Sequence, residues 1–364
     1  DKSPAPLAPV ILDTVTAGLL GPRFLVEPLD EESLALRSFE PAVDEARRLL
    51  GRPTPCVGRE SELGQLEALL AACIEEAAPR ALLVLASPGL GKSRLRHEFL
   101  RRVAMRGEDI LVLCGRGDLL ASGTPFFSLR EALLGLFEIL PGDAAAVRRD
   151  KLVRRVARVV AERERTRIVA FLGELCGVHF DATHDSELRE ARNQPRRMED
   201  CIRQAFCDFL SAECAEHPII LVLEDLHFSD NSTVMVVDAA LRELSERPLF
   251  VLALGRPEVS ELFPRLWHDR VQLMPLRPLS RKASEMLVRQ VLGLKTPLET
   301  TNRLVERAAG NALYLEELIR SFAEHSDGAE LPQTVLAMLQ TRIGRLEAGA
   351  RRALRAASVF GDSC

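Results

Sequence analysis

The stretch "ALLVLASPGLGKSRLRHEFL", residues 81–100, constrains this chain more than any other. Residues 81–86 form a continuous apolar run, which fits a strand buried on both faces. A helical pattern follows at once, with Leu95, Phe99 and Leu100 inward. Between the two, Ser87-Pro88-Gly89-Leu90-Gly91 must turn the chain within a few residues. Such a loop aims several backbone N–H groups inward, and with the helix N-terminus they bind anionic phosphate. Gly89 and Gly91 permit the tight curvature and the close approach of backbone to phosphate oxygens. Lys92 then reaches the β- and γ-phosphates, and the Ser93 hydroxyl is placed to ligate Mg²⁺. The pattern is G-x-x-x-x-G-K-[ST] with Ala86 at the first glycine position, where a small residue at a strand end turns without crowding.

A nucleoside triphosphatase also needs an acid near the metal. In "PIILVLEDLHFSD", residues 218–230, an apolar strand ends in Glu224-Asp225. Carboxylates there stand at the C-terminal edge of an α/β sheet, where ligands bind. One would hold Mg²⁺, usually through water, and the other would orient or deprotonate the attacking water. The residues favour Glu224 near the metal and Asp225 on the water, with the reverse assignment open. At the end of "VLALGRPE", Arg256 faces the same edge, and its guanidinium suits a bidentate γ-phosphate contact. His227 reads as a hydrogen-bonded structural histidine, with a γ-phosphate contact as the alternative.

Strands are expected at "ILVLC" (110–114), "IILVLE" (219–224), "LFVLAL" (249–254) and "VQLMPL" (271–276), besides 81–86. Alternating with helices, they predict a P-loop-type α/β parallel sheet. Residues 127–215 read as a mostly helical insert. After 280 the strands stop and successive helices follow, so an all-helical module comes next. The expected organisation is a proline-rich connector over 1–53, an ATPase core over 54–278, a helical lid over 279–330 and a further region over 331–364. Eight of the 21 prolines fall in the first 55 residues, around the strand-like pieces "VILDTV" and "RFLVE". The chain opens on Asp1 rather than Met, and is expected to be a piece of a longer polypeptide.

Composition excludes some functions. The net charge of −5 does not advertise nucleic acid, which is not an expected partner of this piece. The Arg-rich segment 148–167 contains acidic residues and no aromatics, and reads as a solvated helix face. No apolar run reaches the roughly 18 residues that span a bilayer, so no membrane partner is expected. Eight cysteines are scattered without a C-x-x-C pair, as small hydrophobes in a reducing cytoplasm would be.

The motifs together resemble the signal-transduction ATPases of the AAA-related STAND class, from about residue 54 onward. "CVGRESEL" (56–63), "GLGKSRL", "LVLEDLHFSD", "LALGRPE" and "AGNALYLEEL" (309–318) each resemble a motif of that class, in its order. Residues 331–361 resemble the opening of its winged-helix region. The resemblance implies ATP and Mg²⁺ as ligands, with adenine near Val57, Gly58 and Arg59. It also implies a phosphate cradle of Pro88, Gly89, Leu90, Gly91, Lys92, Ser93 and Arg94. Ala312 replaces a proline of the class and removes a rigid apolar contact, and Phe228 replaces a Trp. The nearest likeness is to bacterial multidomain regulators in which a Ser/Thr protein kinase, sometimes with a cyclase-like domain, precedes the ATPase. A slowly hydrolysing switch is then expected, with flanking effector domains in the same chain and self-association in the ATP state. The rival readings are a DNA-binding assembly ATPase and a nucleotide-gated scaffold without hydrolysis.

Overall fold

A computed structural model describes residues 10–13, 24–29, 33–39, 48–50, 52–121, 123–181, 183, 185–268, 270–324, 343–344 and 348–360. The chain divides into two compact units, Asp1–Arg47 and Arg48–Cys364. The first holds an antiparallel sheet of three strands: β1 (Val10–Asp13), β2 (Phe24–Pro28) and β3 (Ser33–Phe39), with β3 in the middle. The sequence reading gave β1 and β2 and missed β3.

The second unit opens with a short antiparallel pair, β4 (Arg48–Leu49) and β5 (Arg52–Pro53). Helix α1 (Glu60–Glu75), β6 (Arg80–Leu85), α2 (Lys92–Met105) and β7 (Leu111–Arg116) follow. The insert is five helices: α3 (Phe127–Leu136), α4 (Ala145–Val159), α5 (Glu162–Cys176), α6 (Ser186–Arg192) and α7 (Pro195–Glu216). Then come β8 (Ile219–Glu224), a turn of 3-10 helix at Leu226–Phe228, α8 (Asn231–Glu243), β9 (Leu249–Gly255), α9 (Val259–Leu262) and β10 (Val271–Pro275). The helical module consists of α10 (Arg281–Leu292), α11 (Leu298–Ala308) and α12 (Ala312–Glu324). Of the expected winged-helix region, α13 (Ala348–Phe360) is described, and most of residues 325–347 lie outside the described residues.

The five long strands form one parallel sheet in the order β10-β6-β9-β8-β7. Side chains alternate across its faces. Leu83, Leu221, Leu223 and Val251 pack with the insert helices and α8. Leu82, Val84, Ile220, Val222 and Phe250 pack with α1 and α2. Both faces are covered, which is why these strands read as unbroken apolar runs rather than as alternation. The sheet is therefore the doubly covered α/β parallel sheet that the sequence predicts.

The Arg-rich helix α4 leaves Arg149, Arg154 and Arg158 exposed, as the solvated face that the sequence predicts, and turns two other cations to partners. Arg155 forms a two-pronged pair with Glu213 of α7, at 2.6 and 2.9 Å, and the Glu213 side chain is fully buried. Lys151 pairs with Asp143 at 2.7 Å. Arg155 and Lys151 thus staple the insert, while the exposed arginines of the same helix face solvent. None of the seven described cysteines is in a disulfide, and burial pushes the thiols of Cys73, Cys176, Cys207 and Cys214 up to about 12. No helix among the described residues is long and apolar enough to cross a membrane.

Candidate functional site

The loop between β6 and α2 sits at the C-terminal edge of the sheet, beside the central strand. The Ala86 N–H donates to Gly255 O at 3.1 Å, so Ala86 extends the β6–β9 pairing by one residue. Ala86 is buried and does not have a positive φ. A glycine's freedom is therefore not required there, which is the physical reason that alanine fits. It is required further on: Gly89 and Gly91 have φ of +82° and +94°, in the left-handed region that side chains disfavour. Gly91 precedes the first helical residue, Lys92, and so directs the open N–H groups of α2 toward the loop.

The Lys92 Nζ donates to Ala86 O at 2.7 Å and Ser87 O at 3.4 Å, curling the loop around its own ammonium. Burial pushes the Lys92 pKa below its ordinary value, and the Asp225 carboxylate acts against that shift. The Ser93 hydroxyl donates to Glu224 Oε2 at 3.3 Å. Glu224 Oε1 is paired with Arg96 Nη1 at 2.9 Å. Asp225 Oδ2 takes Arg116 Nε at 3.0 Å. Asp225 also has φ of +50°, an uncommon conformation for a non-glycine residue and one that clusters at functional sites. Loop lysine, hydroxyl and both acids are thus brought together, as the sequence predicts.

Arg256 stands over the Phe228 ring, its Cζ 5.8 Å from the centroid, and its charge acts on Lys92. His227 packs against the same ring at a tilt of 42°, with centroids 4.1 Å apart. Both His227 ring nitrogens are buried without a hydrogen-bond partner. The protein's own groups therefore do not supply the hydrogen bonds that the structural reading of His227 expects. Burial pushes its pKa down, with Asp225 opposing.

The expected adenine-side residues knit the core to the helical module. Val57 is buried in the apolar cluster of that module, with Leu279, Ala283 and Leu287. A Cβ on Gly58 would lie 2.4 Å from the Ala283 Cβ, so the backbone there touches α10. Arg59 is buried and donates to Leu90 O at 3.0 Å, Arg277 O at 2.8 Å and Glu62 at 2.9 Å. It thereby ties the phosphate loop to the segment leading into the helical module. Arg94 points to Glu98, with Nη2 3.8 Å from the carboxylate.

Four residues have roles that the sequence reading did not give. Asn311 donates from Nδ2 to Pro88 O at 3.2 Å, while its Oδ1 accepts from the Tyr314 N–H at 3.0 Å. The Leu313 N–H donates to Gly89 O at 3.0 Å, so the start of α12 sits directly on the phosphate loop. Asp230 caps α8 through the Thr233 N–H at 2.8 Å and also accepts from the Phe126 N–H at 3.0 Å. Arg96, paired with Glu224, is another. An Arg three residues after the loop serine shares its helix face, and that spacing could have drawn attention to it.

The donor set can be tested for Mg²⁺. Two octahedral ligands at about 2.1 Å and at right angles have oxygens about 3 Å apart. Ser93 Oγ and Glu224 Oε2, at 3.3 Å, fit that spacing. Among the described residues no group of three His, Cys, Asp or Glu could hold a metal ion. Such an ion would instead keep waters and phosphate oxygens in its shell, as Mg²⁺ does.

Comparison with solved structures finds likenesses at low identity. The Aeropyrum pernix ORC1 protein in complex with DNA is 13% identical with a TM-score of 0.47, covering 85% of this chain and 74% of that one. A STAND protein with a tetratricopeptide repeat sensor from Pyrococcus horikoshii is 14% identical at 0.45, over 88% and 37%. Drosophila ORC bound to DNA is 16% identical at 0.44, over 94% and 74%. Among curated sequences, an uncharacterized protein of Rhizobium meliloti (strain 1021) is 24% identical over 331 residues. That match covers 84% of this chain and 30% of the relative, so the chain spans less than a third of the relative's length. A family model described as AAA ATPase domain matches residues 55–252, more than half of the 364 residues. The matched span holds the loop, the acid pair and most of β9, and the chain belongs to the AAA ATPase domain family.

Proposed function

We propose that this chain is the nucleotide switch of a larger signalling protein, as its resemblance to the STAND class implies. It binds ATP with Mg²⁺, hydrolyses it slowly and converts the state of the nucleotide into the position of its helical module. The observation that carries this reading is the pair of hydrogen bonds from Asn311 and Leu313 to the Pro88 and Gly89 carbonyls. The helical module holds carbonyls of the same loop whose N–H groups would turn to a phosphate. A ligand that changes the loop must therefore change the docking of α12.

In this reading Lys92 leaves the Ala86 and Ser87 carbonyls and meets the β- and γ-phosphates. Ser93 and Glu224 would hold the magnesium ion, which neutralises phosphate charge when bound. Asp225 orients the attacking water, whose oxygen bonds the γ-phosphorus as the bond to the ADP oxygen breaks. Lys92, Arg256 and the loop N–H groups stabilise the charge on the transferred phosphoryl group. Val57, Gly58 and Arg59 line the approach to adenine. Flanking effector domains, with a Ser/Thr kinase upstream, would receive the change, self-association would follow in the ATP state, and the setting would be cytoplasmic.

A second reading, binding without turnover, draws on the Asp225–Arg116 pair, which engages the proposed water-orienting carboxylate. Binding and hydrolysis of labelled ATP with Mg²⁺ separate the two, for the unmodified chain, Lys92→Ala and Asp225→Ala. Binding with slow turnover, the turnover lost in both variants, supports the switch. Binding with no turnover supports the scaffold. No binding rejects both.

A further inference from the structure

Arg96 belongs to neither the phosphate loop nor the acid pair, yet it pairs directly with the Glu224 carboxylate. Its Nη1 lies 2.9 Å from Glu224 Oε1, while Ser93 reaches the other oxygen at 3.3 Å. The two side chains are 11% and 18% exposed, so water competes weakly for the pair. Arg96 is one turn beyond Ser93 on α2, which places both residues on one face of the helix. A carboxylate with one cation and one hydroxyl on its separate oxygens cannot rotate freely about its last torsion. Arg96 has one further neighbour on β7, the Cys114 side chain, to which it also hydrogen-bonds. The Arg96 Nε is buried without a partner, and the Arg96 charge also acts on the half-buried Cys114 thiol.

We propose that Arg96 is a positioning residue that fixes the Glu224 carboxylate with Oε2 turned to Ser93, and thereby sets the affinity of the site for a divalent cation. The inference rests on the reading that the site takes a magnesium nucleotide. It assigns the orientation of the acid to the same helix that carries Lys92 and Ser93. Outer partners of a metal-holding carboxylate have this effect in general, and their loss weakens metal binding about 10–100-fold. Lysine would keep the charge and lose the planar fork, so it should recover part of the effect.

The test uses the 364-residue chain, Mn²⁺ as the spectroscopic probe and a fluorescent ADP or ATP analogue. Mn²⁺ is titrated against the protein–nucleotide mixture by electron paramagnetic resonance. Nucleotide affinity is measured in parallel with the metal chelated, and thermal melting reports folding. The expected result for Arg96→Met is a Mn²⁺ midpoint raised about 10–100-fold with metal-free nucleotide affinity unchanged. Arg96→Lys should fall between Arg96→Met and the unmodified chain. A Mn²⁺ midpoint that does not move in folded Arg96→Met overturns the inference while leaving the nucleotide-switch reading intact. Equal weakening of metal-free binding in both variants also overturns it, because Arg96 would then merely support the loop. An unmodified chain that binds nucleotide with no dependence on metal overturns both.

Discussion

The Leu313 N–H donates to the Gly89 carbonyl across 3.0 Å, joining residues that lie 224 positions apart in the chain. It is a backbone contact, so side-chain identity at either position does not encode it directly. The neighbouring Asn311 adds a side-chain bond to Pro88 O at 3.2 Å. Replacing Asn311 by Asp separates its two jobs. The carboxylate still accepts from the Tyr314 N–H and keeps the helix cap, but it has no donor for Pro88. Thermal stability should stay within about 1 kcal/mol, while nucleotide affinity falls because a negative charge now stands at the loop. Asn311→Ala should lose the cap as well, at about 1 kcal/mol. Melting curves and nucleotide titration of the two variants check this.

Gly89 and Gly91 share a positive φ but have different neighbours. A Cβ on Gly91 meets only the Ala312 Cβ, at 4.0 Å, so Gly91→Ala carries the cost of its positive φ alone. That cost is about 1–2 kcal/mol. A Cβ on Gly89 would lie 2.5–3.0 Å from the Asn311 side chain. Gly89→Ala should therefore also displace the helical module. Denaturation gives the stability terms, and amide exchange at the start of α12 should rise in Gly89→Ala and not in Gly91→Ala.

The Arg155–Glu213 pair is the sharpest stability prediction. Glu213 is fully buried, so Arg155→Met leaves a carboxylate in the insert with no partner. The cost should be about 3–5 kcal/mol. The double change Arg155→Met, Glu213→Leu should recover most of it, since two apolar side chains of similar volume replace the pair. Chemical denaturation of the three variants checks the order.

Glu98 gives a pH dependence of known sign. Hydrogen bonds from Arg101, then from Arg102, hold its carboxyl below the usual range. A depressed folded-state value contributes stability above the unfolded pKa, and that contribution is lost as pH falls through the folded one. Acid unfolding of Glu98→Gln should therefore be less steep than that of the unmodified chain, with the two differing most at neutral pH. A pair of pH–stability curves measures it.

Much of the fold was legible because its strands are buried on both faces and read as unbroken apolar runs. β3 was not, since "SLALRSF" lies among proline-rich segments that read as turns. The phosphate loop and acid pair were legible because their chemistry needs fixed residue types at fixed spacing. Arg96 and Asn311 were not, because their partners come from distant strands and loops, and only the packing decides them. His227 shows the opposite failure. Its position suggested a satisfied structural residue, and no protein group pairs with either of its nitrogens.

The most direct measurement is hydrogen exchange at the Leu313 amide in the unmodified chain, without nucleotide, with Mg²⁺ and ADP, and with Mg²⁺ and a non-hydrolysable ATP analogue. A switch built on this contact predicts that the ADP and ATP-analogue states protect Leu313 to clearly different degrees. Equal protection in both, with both nucleotides shown to be bound, would contradict it.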